Sequence, residues 1–166
     1  MMATTTILVL FVSGGLMLSN SYEVKQSVMI NAPVEKVHGF IADLHQWDQW
    51  SPWTLPQEGV NVEFSKNSGL GATRSWKSAE GDGGLSITQC DPQKGVTYRV
   101  YFNRKQHMNE ANFTYAVKNS QTQLTWSMKG TINTPVVGGY VAYLTEIMTL
   151  DLFEVGLANL KLLAEK

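Results

Sequence analysis

This sequence contains little cysteine and few charged residues, and it has no proline after Pro135. Its 166 residues include one cysteine, Cys90, which excludes an internal disulfide framework and a cysteine-rich zinc site. Only 16% of the residues are charged, and 13 Lys+Arg against 14 Asp+Glu leave a net charge of −1. No overall electrostatic field therefore draws the chain to nucleic acid or to an anionic membrane.

What the sequence does contain indicates one globular domain with a partly polar interior. Hydrophobic residues make up 43% of the chain, which is enough for one substantial core without a structural metal. The 5 tryptophans and 6 tyrosines each offer a large apolar surface that carries one polar group. Such side chains suit an interior that is partly wet.

The N-terminal segment differs from the rest of the chain because residues 1–22 carry no charged side chain. Its apolar run over 7–18 has the length of a signal-peptide core and is short for a membrane span. Ser19 and Ser21 are small enough to precede a cleavage point. We therefore predict a leader or membrane anchor over 1–21, in an exported or membrane-associated protein, and a folded domain over 22–166. A structural segment of a cytoplasmic protein is the alternative.

Hydrophobic periodicity divides the remaining chain into strands and helices. Alternation predicts a first strand over 22–30, and helical spacing after Pro33 predicts a short helix. The segment 44–53 predicts a second short helix or a single turn. Six further strands with hairpin turns between them are predicted over 60–65, 72–77, 84–91, 96–103, 111–118 and 124–132.

A long C-terminal helix is predicted over 135–166, because no proline follows Pro135 and Thr134 can cap its start. Its apolar residues form two bands on different sides of the helix. One band is Leu150, Phe153, Leu157 and Leu160, and the other is Tyr140, Leu144, Met148, Val155 and Leu162. Two bands predict a helix that is covered on most sides, and the one-sided strands need such a helix to cover their apolar face.

Three strings occur in this order: VMINAPVEKVHGFIADLHQWDQWSPW at 28–53, GLGATRSWKS at 69–78 and GLANLKLLAE at 156–165. With them the chain resembles the SRPBCC superfamily, in particular its polyketide cyclase/dehydrase-like members with the START or Bet v 1 helix-grip fold. The resemblance implies an α+β fold in which a seven-stranded curved antiparallel sheet wraps around the C-terminal helix, with two short helices between strands 1 and 2. It also implies an apolar cavity for lipids, sterols or polyketides, and it implies no shared catalytic set.

Arg74 is the most informative candidate residue. It shares its strand parity with Ala72 and Trp76, so we expect its side chain to point into the interior. A buried guanidinium requires a partner, such as Glu63, Glu110, Asp151 or a ligand carboxylate. A surface arginine after a local bulge is the alternative.

Other candidate ligand-binding residues are aromatic or flexible and apolar. Trp76, Tyr98, Tyr115, Trp126 and Met128 share the inward parity of their strands, where they line a cavity or fill it. Trp50 and Trp53, together with Trp47, form either the lip of that cavity or a plug that fixes the short helices to the sheet.

Catalytic and metal-binding patterns are weak. His38, His45 and His107 lie in separate segments, and none has an acid and a nucleophile at a spacing that assembles a triad. No His and carboxylate pair has the spacing of a metal site, and no cofactor is expected. By parity we expect Cys90 to be an outward or edge thiol without a role.

The sequence therefore favours binding of an apolar small molecule or lipid between sheet and helix, with membrane association through the N-terminal segment as a second expectation. A polyketide cyclase-like enzyme is the first alternative, in which Arg74 and a tyrosine polarise a carbonyl group. A regulatory or interaction module with a vestigial cavity is the second.

Overall fold

Seven strands form one antiparallel sheet in the computed structural model, which describes residues 12–53, 60–78, 81–102 and 107–166. The sheet order is β1-β7-β6-β5-β4-β3-β2, so each strand from β2 to β7 pairs with its neighbour in sequence and β1 closes onto β7. The strands are β1 Ser21–Ile30, β2 Asn61–Lys66, β3 Thr73–Ser78, β4 Gly81–Asp91, β5 Gly95–Phe102, β6 His107–Lys118 and β7 Gln121–Thr131.

Two short helices lie between β1 and β2, and a long helix ends the chain. Helix α1 spans Val34–Ala42, a 3-10 helix spans Gln46–Gln49, and helix α2 spans Gly138–Ala164. The curved sheet and the C-terminal helix confirm the predicted α+β helix-grip fold. Residues 12–17 are also helical. Among the described helices, none combines the length and the apolar character needed to span a bilayer.

Strand positions agree with the sequence pattern, but several strands are longer than predicted. Strand β4 begins at Gly81 and β6 at His107, so parts of two predicted turns belong to strands. Parts of three predicted features lie outside the described residues. They are residues 1–11 of the leader, residue 80 in the first of those turns, and residues 103–106, which include the end of the fifth predicted strand and part of the second turn.

The start of α2 differs from the prediction. Val136 has φ 62°, a left-handed conformation that interrupts a right-handed helix, and α2 begins only at Gly138. The predicted side-chain cap from Thr134 is wrong, since no side-chain hydrogen bond caps α2. Instead, the Thr134 carbonyl oxygen accepts a hydrogen bond of 2.8 Å from the Gly138 amide.

Helix α2 buries one face and exposes another. Phe153, Leu157 and Leu160 of the first predicted band are buried, although Leu150 is partly exposed. In the second band, the side chains of Leu144, Met148, Val155 and Leu162 are each more than half exposed. The expectation that α2 would be covered on most sides is therefore wrong. A sheet covers a helix from one side only, and the spacing of apolar residues does not distinguish a covered band from an exposed one.

Candidate functional site

A cavity of about 390 Å³ lies between the sheet, α2 and the segment that follows the 3-10 helix. Its size falls within the usual range for small-molecule sites. The lining residues are mostly apolar or aromatic, with a few polar side chains among them: Tyr22, Trp47, Ser51, Pro52, Trp53, Arg74, Trp76, Leu85, Tyr98, Val100, Asn109, Met128, Thr145, Thr149 and Leu152.

Arg74 is the one cationic side chain among these described lining residues, and it is only 4% exposed. Its Nη2 donates a hydrogen bond of 2.6 Å to Oδ1 of Asp48, whose side chain is 54% exposed. Its Nε has no hydrogen-bond partner within the described part of the chain. The guanidinium also lies over the Phe64 ring, 5.7 Å from the ring centroid. A buried guanidinium thus keeps donor capacity beside the cavity.

The expected inward orientation of Arg74 is correct, whereas its expected protein partners are not. Asp48, in the 3-10 helix, takes the place that we assigned to Glu63, Glu110 or Asp151. Glu110 pairs instead with Arg99 on the neighbouring strand, at 3.3 Å between exposed side chains. Asp48 precedes Arg74 by 26 residues and lies in a separate short 3-10 helix, so neither helical nor strand periodicity relates the two.

Tyr98 provides a second polar group in the cavity wall. Its hydroxyl oxygen accepts a hydrogen bond of 3.0 Å from Nε1 of Trp126. Burial raises the pKa of Tyr98, so its hydroxyl stays protonated at neutral pH. Because the hydrogen bond from Trp126 uses an acceptor site only, the hydroxyl proton can be donated to a ligand.

The candidate residues from the sequence divide into two groups. Trp53, Arg74, Trp76, Tyr98 and Met128 line the cavity. Trp50 and Trp126 are instead buried in the core beside it, and Tyr115 bonds to His38 outside the lining. Contact of any of them with a ligand stays a prediction.

An aromatic cluster fills the interior next to the cavity. Trp126 stacks on Phe153 of α2 with ring centroids 4.0 Å apart and 6° between the planes. Trp50 contacts Trp126 edge to face, and its Nε1 donates to the carbonyl oxygen of Phe40 at 3.1 Å. Trp47 donates similarly to the carbonyl oxygen of Ile41. These hydrogen bonds attach the segment after α1 to the end of α1. The ring contacts of Trp50 with Trp126 and of Trp47 with Tyr98 fix it to the sheet, as the plug interpretation expects, while Trp47 and Trp53 also form cavity wall.

Sequence reasoning did not name several lining residues as candidates. Tyr22 donates a hydrogen bond of 3.1 Å to Oδ1 of Asn109, and both side chains line the cavity. Thr145 and Thr149 face it from α2. Their spacing of four residues on a largely apolar helix was an available signal, because such threonines lie on one face.

Cys90 does not point outward as the strand parity suggested. A register shift between Ile87 and Gln89 changes the alternation in β4, and the partly buried Cys90 packs against the core. No group of three or more metal-ligating side chains occurs in the ranges that the structure describes.

Together, the one-sided sheet, the long C-terminal helix and the cavity between them define a helix-grip protein with an internal ligand-sized space. The family model described as polyketide cyclase / dehydrase and lipid transport matches residues 21–165, so the chain belongs to this family. No curated protein sequence matches the chain significantly.

Solved structures support the fold at low sequence identity. The Aha1 protein from Colwellia psychrerythraea has a TM-score of 0.60 at 18% identity, with 86% of this chain and 96% of that chain covered. CV1439 from Chromobacterium violaceum has a TM-score of 0.59 at 16% identity, covering 87% and 97%. DynU16, from the dynemicin biosynthetic locus, has a TM-score of 0.58 at 15% identity; 84% of this chain aligns to 45% of that longer chain.

Proposed function

We propose that this protein binds an apolar small molecule or lipid in the cavity, with a polar end of the ligand at Arg74. The observation that carries the proposal is a guanidinium that is 4% exposed, lines an apolar cavity and has an Nε without a partner among the described residues. Buried charged groups are costly unless they are paired and hydrogen-bonded. A ligand oxygen would supply the missing hydrogen bond.

The cavity walls favour the apolar part of such a ligand. Leu85, Val100, Met128 and Leu152 contribute side chains that gain free energy when an apolar chain replaces water. Trp53 and Trp76 add large aromatic surfaces, which suit flat or aliphatic groups equally.

The polar groups define what the head of the ligand should be. Asp48 occupies one nitrogen of Arg74 and leaves Nε as a donor, and Tyr98 can donate its hydroxyl proton. Both groups donate hydrogen bonds, so they match the acceptor oxygens of a carboxylate or a ketone. A lipid-like acid or a polyketide carbonyl compound is therefore the expected ligand class, in keeping with the description of the family.

A polyketide cyclase-like activity is the second candidate, and the Arg74 and Tyr98 donors support it because both can polarise a carbonyl group. Cyclisation also requires a group that accepts a proton. No histidine, carboxylate or cysteine occurs among the described residues that line the cavity. This composition favours binding over proton-transfer chemistry, and the open volume argues against a vestigial cavity.

Filling the cavity from α2 tests binding directly. Thr149 lines the cavity and is buried, whereas Val155 on the same helix is exposed. We expect Thr149→Phe to weaken dodecanoate binding by more than about 1.4 kcal/mol, or tenfold, in isothermal titration calorimetry, because the ring occupies ligand space. Val155→Phe should bind like the wild type. Equal affinity of all three proteins would place dodecanoate outside the cavity and contradict the proposal.

Contact with a lipid surface is a further part of the proposal. Leu16 and Met17 are strongly exposed, and their segment lies against the start of α2, where Leu18 packs on Gly139. On α2, Leu144 and Met148 are also more than half exposed. Apolar exposure of this extent is typical of interaction surfaces, and the absence of charge in residues 1–22 favours a neutral lipid surface over a charged partner.

Vesicle flotation tests the proposed contact with a lipid surface. We expect the wild type to float with phosphatidylcholine vesicles, and a variant with both Leu16→Glu and Met17→Glu to stay in the dense fraction. Leu162→Glu, at the far end of α2, is the matched control and should float. If the wild type does not float, or if the double variant floats as the wild type does, the protein does not contact lipid through this segment.

A further inference from the structure

Three reactive side chains meet away from the cavity, where α1 lies over the sheet. His38 of α1 lies between Cys90 of β4 and Tyr115 of β6. Its Nε2 is 3.6 Å from Sγ of Cys90, and its Nδ1 is 3.0 Å from the hydroxyl oxygen of Tyr115. All three side chains are partly buried, and none of them lines the cavity described above.

The two contacts of His38 are consistent with one arrangement of protons. A neutral imidazole has one nitrogen that donates and one that accepts. If Nε2 accepts the thiol proton of Cys90, then Nδ1 carries hydrogen and donates it to the Tyr115 oxygen. A nucleophile, a base and a group that orients the base are the arrangement that activates cysteine and serine side chains.

Burial sets the charge states in this cluster. It lowers the pKa of His38, although the nearby Asp91 acts in the opposite direction. It raises the pKa of Cys90, and Asp91 adds to this effect while Lys66 opposes it. Near pH 7 both groups are therefore mainly neutral, so His38 is available to accept the thiol proton during an attack by sulfur.

We propose that Cys90 is a covalent modification site for soft electrophiles of the α,β-unsaturated carbonyl class, with His38 as its base and Tyr115 as a positioning residue. Sulfur forms a bond to the β carbon, and the electron pair of the carbon–carbon double bond moves toward the carbonyl group. His38 takes the thiol proton and returns it, directly or through water, to the α carbon. The product is a neutral thioether adduct, and the addition requires no leaving group, oxidant or reductant.

This electrophile class follows from what surrounds the thiol. Addition to a conjugated double bond consumes one thiol and requires a group that carries its proton to the α carbon, and the cluster supplies both. Cys90 is partly exposed and lies outside the cavity lining, so the reaction does not depend on entry into the cavity. The inference is therefore independent of the proposed ligand-binding function.

The experiment uses N-ethylmaleimide, an α,β-unsaturated carbonyl probe, with intact-mass spectrometry of the full chain. Because Cys90 is the only cysteine, each adduct at sulfur reports on this site. We expect His38→Gln to slow labelling at pH 7 by roughly 100-fold, the lower range for general-base assistance. Tyr115→Phe should give a smaller loss, and His45→Gln, a change at another histidine, should leave the rate unchanged.

The pH profile of the wild-type protein provides a test that does not depend on a variant being folded. Base assistance predicts a labelling rate that becomes nearly constant above the pKa of His38. Reaction through free thiolate predicts a rate that rises about tenfold per pH unit up to the thiol pKa. That steep rise would overturn the proposal. So would a folded protein that is labelled more slowly than the urea-unfolded chain and whose labelling rate does not change in His38→Gln. Either result would identify Cys90 as a shielded thiol.

Discussion

Trp126→Ala should lower the free energy of unfolding by about 3–5 kcal/mol, the cost typical of removing a large buried aromatic side chain. Trp126 is fully buried, stacks on Phe153 of α2 and contacts Trp50 and Phe113. Its removal would separate the sheet from α2 at their closest aromatic contact and also remove the hydrogen bond to Tyr98. Urea unfolding followed by far-ultraviolet circular dichroism measures the change.

Tyr143→Ala is the matched control, because Tyr143 is an aromatic residue on α2 that is more than half exposed. We expect it to change stability by no more than about 0.5 kcal/mol. A loss below 1 kcal/mol for Trp126→Ala would mean that the stack is not what joins α2 to the sheet.

Arg74→Met should weaken dodecanoate binding by roughly 10- to 100-fold, the equivalent of about 1.5–3 kcal/mol for a hydrogen bond to a charged group. Dodecanol carries no carboxylate, so its affinity should change much less. Asp48, the partner left behind, is more than half exposed and stays solvated, so we expect a small effect on stability. Calorimetric titration with both ligands, and thermal unfolding of the variant, check these results together.

Arg99→Met is the control for removing a positive charge, because Arg99 forms an exposed pair with Glu110. Its affinity for dodecanoate should equal that of the wild type. If Arg74→Met lowers stability and affinity in parallel, Arg74 is an ion-pair partner of Asp48 rather than a ligand anchor.

The sequence predicted the fold because strand alternation and helical spacing survive in the structure wherever an element has one apolar face. The order of elements and the inward direction of Arg74 both followed from that alternation. Where the backbone departs from regular geometry, the same reasoning was wrong. Because of a register shift in β4, Cys90 packs against the core. Because Val136 has a left-handed conformation, α2 begins only at Gly138.

The candidate site was only partly predictable, for physical reasons. Parity tells which side of the sheet a residue faces, but the inward side holds both the packed cluster around Trp126 and the cavity around Arg74. Which of them a residue joins depends on the position of α2 and of the segment around Trp47. The pair of Arg74 with Asp48 depends on the position of the same 3-10 helix, and no local pattern encodes that contact.

The most direct test of the ligand-binding proposal is a crystal structure of the protein with dodecanoate. The account predicts the hydrocarbon chain between Met128, Trp53 and Leu152, with a carboxylate oxygen within hydrogen-bond distance of Arg74. Dodecanoate on the exposed side of α2, beside Leu144 and Met148, with side chains filling the interior, would contradict it.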